Sequence, residues 1–235
     1  MTSRPHQTGL LLTHLFVRPG QEYKFQMLKH VIDFYKNIDN NFFIAISGHG
    51  QVLPEDIQSQ VDGIYWEQQI DERQIGRGHA KFCIEGFKIL KNNKIDNCIK
   101  ARYCDVVQNI NLITKAISEN KLMFTEQTCL TNRMLGDLLM SGNTEVLHDL
   151  WSMRDWDYSK SGLYNLYDNL ESYARKINLS PKKYLECNCV FHKPEDLLWL
   201  TIEHIWSQHE SALVEPLCDK HLWGRKLNYE YYGGF

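Results

Sequence analysis

Over its first 130 residues the chain alternates between short apolar runs and longer stretches of helical periodicity, and this rhythm limits the fold more than any other feature. "GLLLTHLFV" is apolar enough for a buried strand, and Pro19-Gly20 stops it. In "QEYKFQMLKHVIDFYKNI" the residues Phe25, Leu28, Val31, Ile32 and Tyr35 recur at steps of three and four, so a helix follows. "FFIAIS" then gives a second strand ending at "GHG", and "VDGIYW" a short third one. "GHAKFCIEGFKILKNNKI" is an amphipathic helix with Lys88, Lys91 and Lys94 on its solvated face. After it come the strand "DNCIKARYCD", the helix "QNINLITKAISEN" and the strand "KLMFTE". Such alternation predicts an α/β fold, a mainly parallel central sheet flanked by helices on both faces. Ligands of these sheets lie beyond the carboxyl ends of the strands, which puts Ser47, Gly48, His49, Gly50 and Asp105 at the functional end.

The later part of the chain changes character. "GDLLMSG" reads as a short strand, with Asn143 or Thr144 capping the helix "EVLHDLWSM". "LESYARKI" is helical, "YLECNCVFH" reads as a strand, and "KPEDLLWLTIEHIWSQ" predicts a long helix with Pro194 at its start. Within that helix Trp199 falls in step with Leu198, Ile202 and Ile205, a core position. The tail aromatics Trp206, Trp223, Tyr229, Tyr231 and Tyr232 have the chemistry to stack on sugar rings. With no repeat or linker in view, residues 1–235 read as one domain with a C-terminal helical and aromatic elaboration.

Composition narrows the partners. With 26 Lys plus Arg against 29 Asp plus Glu the formal charge is -3, so no overall field draws in nucleic acid or an anionic membrane, and any anion needs a local site. Seven cysteines, an odd count set largely in apolar patterns, argue for reduced thiols in a cytoplasmic setting. The N-terminal apolar run lacks the long core and cleavage site of a signal peptide, and no stretch approaches the ~20 apolar residues of a membrane span.

Asp105, at the end of its strand, has the hard oxygen ligands that suit a divalent cation, while Lys100 and Arg102 share one face of that strand within reach of a phosphate or ribose. An internal ion pair between Arg102 and an acidic neighbour accounts for the same spacing equally well. In "ERQIGRGHAK", Gly76 and Gly78 loosen the chain before a helix whose first amides suit an anion, with Arg77 and Lys81 adding charge; an ordinary glycine loop is the plainer reading. The "GHG" reads as a turn, and His49 is given no catalytic role. Asp137 is a candidate general base, or else a partner of Arg133 or of a loop amide; Glu126 and Asp157 are alternative bases. Four of Cys187, Cys189, His192, Cys218 and His221 could hold a structural zinc, although two thiols on one strand face also fill a core.

The ordered set "THLFVRPG", "FFIAISGHG", "GRGHAKFCIEGF", "IKARYCD", "KLMFTE" and "GDLLMSGNTEVLHDLW" resembles nucleotide-sugar glycosyltransferases of the GT-A fold. It is most similar to the small enzymes of bacterial or large-virus polysaccharide synthesis, including WavE-type proteins. The resemblance implies a single GT-A-like, Rossmann-like domain in which residues 8–130 form the nucleotide-sugar-binding half and 131–235 the acceptor side and the elaboration. It also implies that Asp105 holds Mn2+ or Mg2+ on the donor diphosphate, with Arg102 and Lys100 near the nucleotide or sugar. The resemblance likewise implies that Thr13, Arg18, Arg77 and Lys81 complete the nucleotide site, and that Asp137, if the enzyme inverts, is the candidate base that activates a glycan acceptor hydroxyl. One departure stands out: Tyr103 occupies the position two residues before Asp105, leaving a single carboxylate on that strand. Two other classes of function compete with transfer, a non-catalytic nucleotide or sugar binder on the same fold and a zinc-stabilised interaction module.

Overall fold

A computed structural model describes residues 8–68, 75–125, 138–155 and 162–201. Strand β1 (Thr8–Val17) is apolar on both faces because both faces are covered. Helix α1 (Tyr23–Ile38) buries Phe25, Met27, Leu28, Val31, Ile32 and Tyr35 along one stripe, and the Asp39 N–H closes its end on the Tyr35 carbonyl. All eight residues of β2 (Phe43–Gly50) are buried. There follow α2 (Glu55–Gln58), β3 (Gly63–Glu67), α3 (Ile75–Asn92), β4 (Asn97–Arg102) and β5 (Asp105–Val107). The chain continues through α4 (Ile110–Ser118), β6 (Leu122–Thr125), β7 (Met140–Asn143) and α5 (Thr144–Ser152). Last come α6 (Gly162–Lys176), α7 (Pro181–Asn188), β8 (Cys189–His192), α8 (Pro194–Leu197) and β9 (Trp199–Thr201).

Seven strands form one sheet in the order β3-β2-β1-β4-β7-β6-β8, and β5 and β9 make a separate two-stranded ribbon. The pairs β1–β2, β1–β4, β2–β3 and β6–β8 are parallel, while β7 runs antiparallel to both β4 and β6. Alternate residues feed two cores. Leu10, Leu12, Ile44, Ile46, Ile99 and Ala101 pack on one face with residues of α1 and α4. Leu11, Ala45, Cys98, Phe124 and Met140 pack on the other with residues of α3, α5, α6 and α7. The chain therefore adopts the expected α/β architecture, a mostly parallel sheet flanked by helices. Among the described residues no helix is long and apolar enough to cross a membrane.

Several local expectations are corrected. "GHG" is no turn: Gly48, His49 and Gly50 complete β2 and pair with Leu15, Phe16 and Val17 of β1. "GRG" is no loop before a helix, since α3 already begins at Ile75. The strand ending in Asp105 stops at Arg102, and after a turn at Tyr103 and Cys104 Asp105 opens β5. "YLECNCVFH" is mostly helix, because Ser180 accepts from the Lys183 N–H and Pro181 occupies the first turn, so α7 runs to Asn188 before β8 begins. Cys187 is consequently exposed on the helix while Cys189 is buried in the strand, and the two thiols do not share a sheet face. Among the described residues no three His, Cys, Asp or Glu side chains cluster for a metal; Cys218 and His221 lie outside them. The long helix predicted from Pro194 ends after one turn at Leu198 (φ +47°), because Trp199–Thr201 pair with β5 instead. Trp199 is buried in the core, as expected.

Candidate functional site

Strand β1 passes through α1 to β2 on one side and is flanked by β4 on the other, so the strand order reverses between β1 and β4. At such a switch point the loops beyond the carboxyl ends diverge and open a crevice, the place where open α/β sheets bind ligands. Thr13 and Arg102 are register partners there, and the Tyr103 N–H extends the ladder to the Thr13 carbonyl at 2.9 Å. The ends of β2 and β3 add His49, Gly50 and Glu67 to the same edge.

Arg102 and Asp105 form a bidentate pair, Nε to Oδ2 at 3.0 Å and Nη2 to Oδ1 at 2.9 Å. The Asp105 side chain is fully buried, and the Arg102 side chain is 17% exposed. Burial pushes the Tyr35 phenol far up, and the Asp105 charge adds to it, so Asp105 bears on the α1 side of the core. A carboxylate that binds Mn2+ or Mg2+ must offer an oxygen toward an open, partly hydrated position. Here both oxygens are bonded to one guanidinium and the group is sealed from solvent, so as arranged Asp105 does not fit the role of metal ligand.

Lys100 lies two residues back along β4 and is fully buried. Its Nζ stands 5.0 Å from the Trp151 ring centroid and donates to the Leu138 carbonyl at 3.5 Å, which ties the sheet to α5. Arg18, just past β1, sets its guanidinium over the Phe16 ring at 5.0 Å. Phe16 stacks on His49 (4.4 Å between centroids), and His49 stacks on Phe82 of α3 (4.7 Å). Burial lowers the His49 pKa; Glu67 opposes the shift and Lys81 adds to it. Lys81 donates to Glu67, which also accepts from the Tyr65 hydroxyl. Partial burial alone would raise the Glu67 pKa, but the bonds from Lys81 and Tyr65 hold it below its usual range. Arg18 thus engages a ring beside the end of β1, and Lys81 a carboxylate at the end of β3. Arg77 sits in the first turn of α3, with its side chain outside the described residues. Asp137, Glu126, Arg133 and Asp157 also lie outside them.

Sequence reasoning missed His14. The register of β1 against β2 slips between Leu12, opposite Ile46, and Leu15, opposite Gly48, so Thr13 and His14 together face the single residue Ser47. This is a β-bulge. As a result Leu10, Leu12, Leu15 and Val17 all reach the same core, which strict alternation forbids. His14 holds φ at +64°, a conformation that costs a residue with a Cβ about 1–3 kcal/mol. The signal in the sequence was the polar pair Thr13-His14 interrupting an otherwise apolar run.

No protein-family model matches the sequence, and no curated protein matches it. Among solved structures, the chain is similar to a glycosyltransferase involved in glycosylation of the major capsid of PBCV-1, with 10% identity, 80% of this chain and 82% of that one covered, and a TM-score of 0.49. It is also similar to the glycosyltransferase GlyE of Streptococcus pneumoniae TIGR4, with 8% identity, 87% of this chain and 50% of that one, and a TM-score of 0.43. For the galactosyltransferase LgtC, crystallised with donor and acceptor sugar analogs, the identity is 9%, the coverage 78% and 73%, and the TM-score 0.41. Likeness at this level carries no activity across to this chain.

Proposed function

We propose that this chain is a nucleotide-sugar-dependent glycosyltransferase of GT-A type, moving a sugar from a nucleotide diphosphate sugar to a hydroxyl of a glycan acceptor. The observation that carries this reading is the juxtaposition of Thr13 and Arg102 at the reversal of strand order, the place where open α/β sheets bind ligands. The ordered motifs of the sequence point the same way. In this reading residues 8–130 bind the donor, and 131–235 supply the acceptor side.

Transfer breaks the bond between the anomeric carbon and the diphosphate and forms a bond from that carbon to the acceptor oxygen. Negative charge grows on the departing diphosphate, and a preorganised guanidinium at the crevice lowers the barrier by meeting it. Arg102, with its orientation set by Asp105, is assigned that task, and Arg18 and Lys81 lend positive potential along the edge. Asp137 is the proposed base, taking the proton from the acceptor hydroxyl as it attacks. Mn2+ or Mg2+, the cofactor implied by the resemblance, is assigned no part in this step, because Asp105 is committed to Arg102. A cytoplasmic location accords with Cys83, Cys98, Cys104 and Cys189, which are buried and held in no disulfide.

The test is a thermal-shift panel of UDP, GDP, dTDP and CMP and their sugar conjugates, each with and without Mn2+, on wild type and Arg102→Ala. A nucleotide at a hundred times its dissociation constant adds about 2.7 kcal/mol of stability. Stabilisation of the wild type by one nucleotide, reduced in the variant, is the expected result, followed by release of that nucleotide from its sugar conjugate on turnover. A well-folded protein that responds to none of them overturns the reading.

A further inference from the structure

The segment from Arg175 to Lys183, "RKINLSPKK", holds Arg175, Lys176, Lys182 and Lys183 and no acidic residue, in a chain whose formal charge is -3. It forms the corner between two helices, with Arg175 and Lys176 in the last turn of α6 and Lys182 and Lys183 in the first turn of α7. The corner is well braced. Asn178 takes φ +60°, and the Asn178 and Leu179 N–H groups close α6 on the Arg175 and Ala174 carbonyls at 3.0 and 2.9 Å. Ser180 then caps α7 by accepting from the Lys183 N–H. This closure turns Leu179 against the core and leaves Ile177 43% exposed between the two pairs of cations. A scattered apolar side chain on a surface needs no explanation, but one set among cations has the composition of an element that sits at a lipid interface.

The acidic neighbours do not cancel this charge. Arg175 faces Glu171 at 3.6 Å, Lys176 faces Asp149 at 3.9 Å and Lys182 faces Glu186 at 3.8 Å. In each pair the cation is the more exposed side chain, 68% against 19%, 64% against 30% and 86% against 61%. The positive ends therefore project past the negative ones, and exposed pairs this long hold neither partner firmly. Lys183 is exposed as well and forms no ion pair among the described residues.

We propose that the corner between α6 and α7 is a docking surface for an anionic lipid bilayer, with Arg175, Lys176, Lys182 and Lys183 on the headgroups and Ile177 entering between them. A bilayer takes up cations and an apolar tip at the same point, whereas a nucleic-acid backbone has no place for Ile177. A stable protein interface buries far more apolar area than this one side chain offers. Each Lys or Arg brought to an anionic bilayer strengthens partitioning about fivefold, so four of them and the tip give measurable binding without a membrane-spanning helix. The proposal uses no residue of the crevice, so it stands or falls separately from the glycosyltransferase reading.

The experiment is co-sedimentation of the full chain with vesicles of phosphatidylcholine alone and of phosphatidylcholine mixed with phosphatidylglycerol, at low and at high salt, beside binding of a short DNA duplex at low salt. The variants are Lys182→Gln with Lys183→Gln, Ile177→Ser, and a control that removes equal charge elsewhere, Lys94→Asn with Lys115→Gln. All these positions are exposed, so thermal unfolding midpoints should match wild type and exclude misfolding as the cause of any loss. The expected result is binding to the mixed vesicles and not to phosphatidylcholine, lost at high salt, weakened about tenfold or more by the paired lysine change and severalfold by Ile177→Ser, and unchanged in the control. Absence of binding to the mixed vesicles overturns the proposal, as does an equal loss in the control. Unchanged binding by Ile177→Ser, or tighter binding to DNA than to vesicles, overturns the assignment of a bilayer.

Discussion

The Arg102 guanidinium grips the Asp105 carboxylate through two parallel N–H···O bonds, across the turn that separates β4 from β5. Because Asp105 is fully buried and Arg102 nearly so, removing either partner takes from the other a two-bond counter-charge inside the protein. Asp105→Ala and Arg102→Ala should each destabilise the fold by about 3–5 kcal/mol, with the double variant losing less than the sum. Urea unfolding measures this. A loss under about 1 kcal/mol for Asp105→Ala, accompanied by loss of Mn2+ binding, would assign the carboxylate to a metal and not to Arg102.

Gly50 explains why "GHG" closes β2. Its φ is +121°, and a Cβ built there would stand 2.1 Å from the Val17 carbonyl oxygen. At Gly48 it would meet the Leu15 oxygen at 2.4 Å. Both contacts are to backbone brought close beyond the bulge in β1, and backbone does not rotate aside. Gly50→Ala should therefore cost more than about 1 kcal/mol, read as a lowered unfolding midpoint, whereas Gly20→Ala, at φ +83° with open space around its Cβ position, bears only the conformational cost.

His49 makes stability depend on pH. Its folded pKa lies below the ordinary 6.5, chiefly through burial. As pH falls the unfolded chain takes up the proton first, so this contribution is complete above about 6.5 and is lost as pH drops through the depressed folded value. His148, lowered by burial and by Lys91, acts in the same direction. Unfolding free energy should thus be lower at about pH 5.5 than at about pH 7.5. His49→Phe, which keeps a ring between Phe16 and Phe82, should reduce the difference. An identical pH slope in wild type and His49→Phe would show that the stack does not govern it.

Local physics made much of this protein readable from the chain alone. The buried strands β1 and β2, the stripe on α1 and the Asn143 cap of α5, which accepts from the Glu145 and Val146 N–H groups, depend on residues a few positions apart. Side-chain periodicity and backbone capping are short-range effects, so they survive in any compact arrangement of the chain. Other features depend on partners far away in sequence. Trp199–Thr201 became a strand because Asp105–Val107 offered an edge, against a helical pattern that local propensity favoured. Asp105 went inward to Arg102, an alternative that spacing had left open, because the turn after β4 ended one strand and began another. The pairing of Thr13 with Arg102 and the bulge that holds His14 left-handed required β1, β2 and β4 to be in register together. The sequence by itself determined the main strands and helices of the first 125 residues and that they would build a helix-flanked, mostly parallel sheet. Only the tertiary structure decided which side chains meet there, because that depends on strand order and register, set by packing between residues distant in the chain.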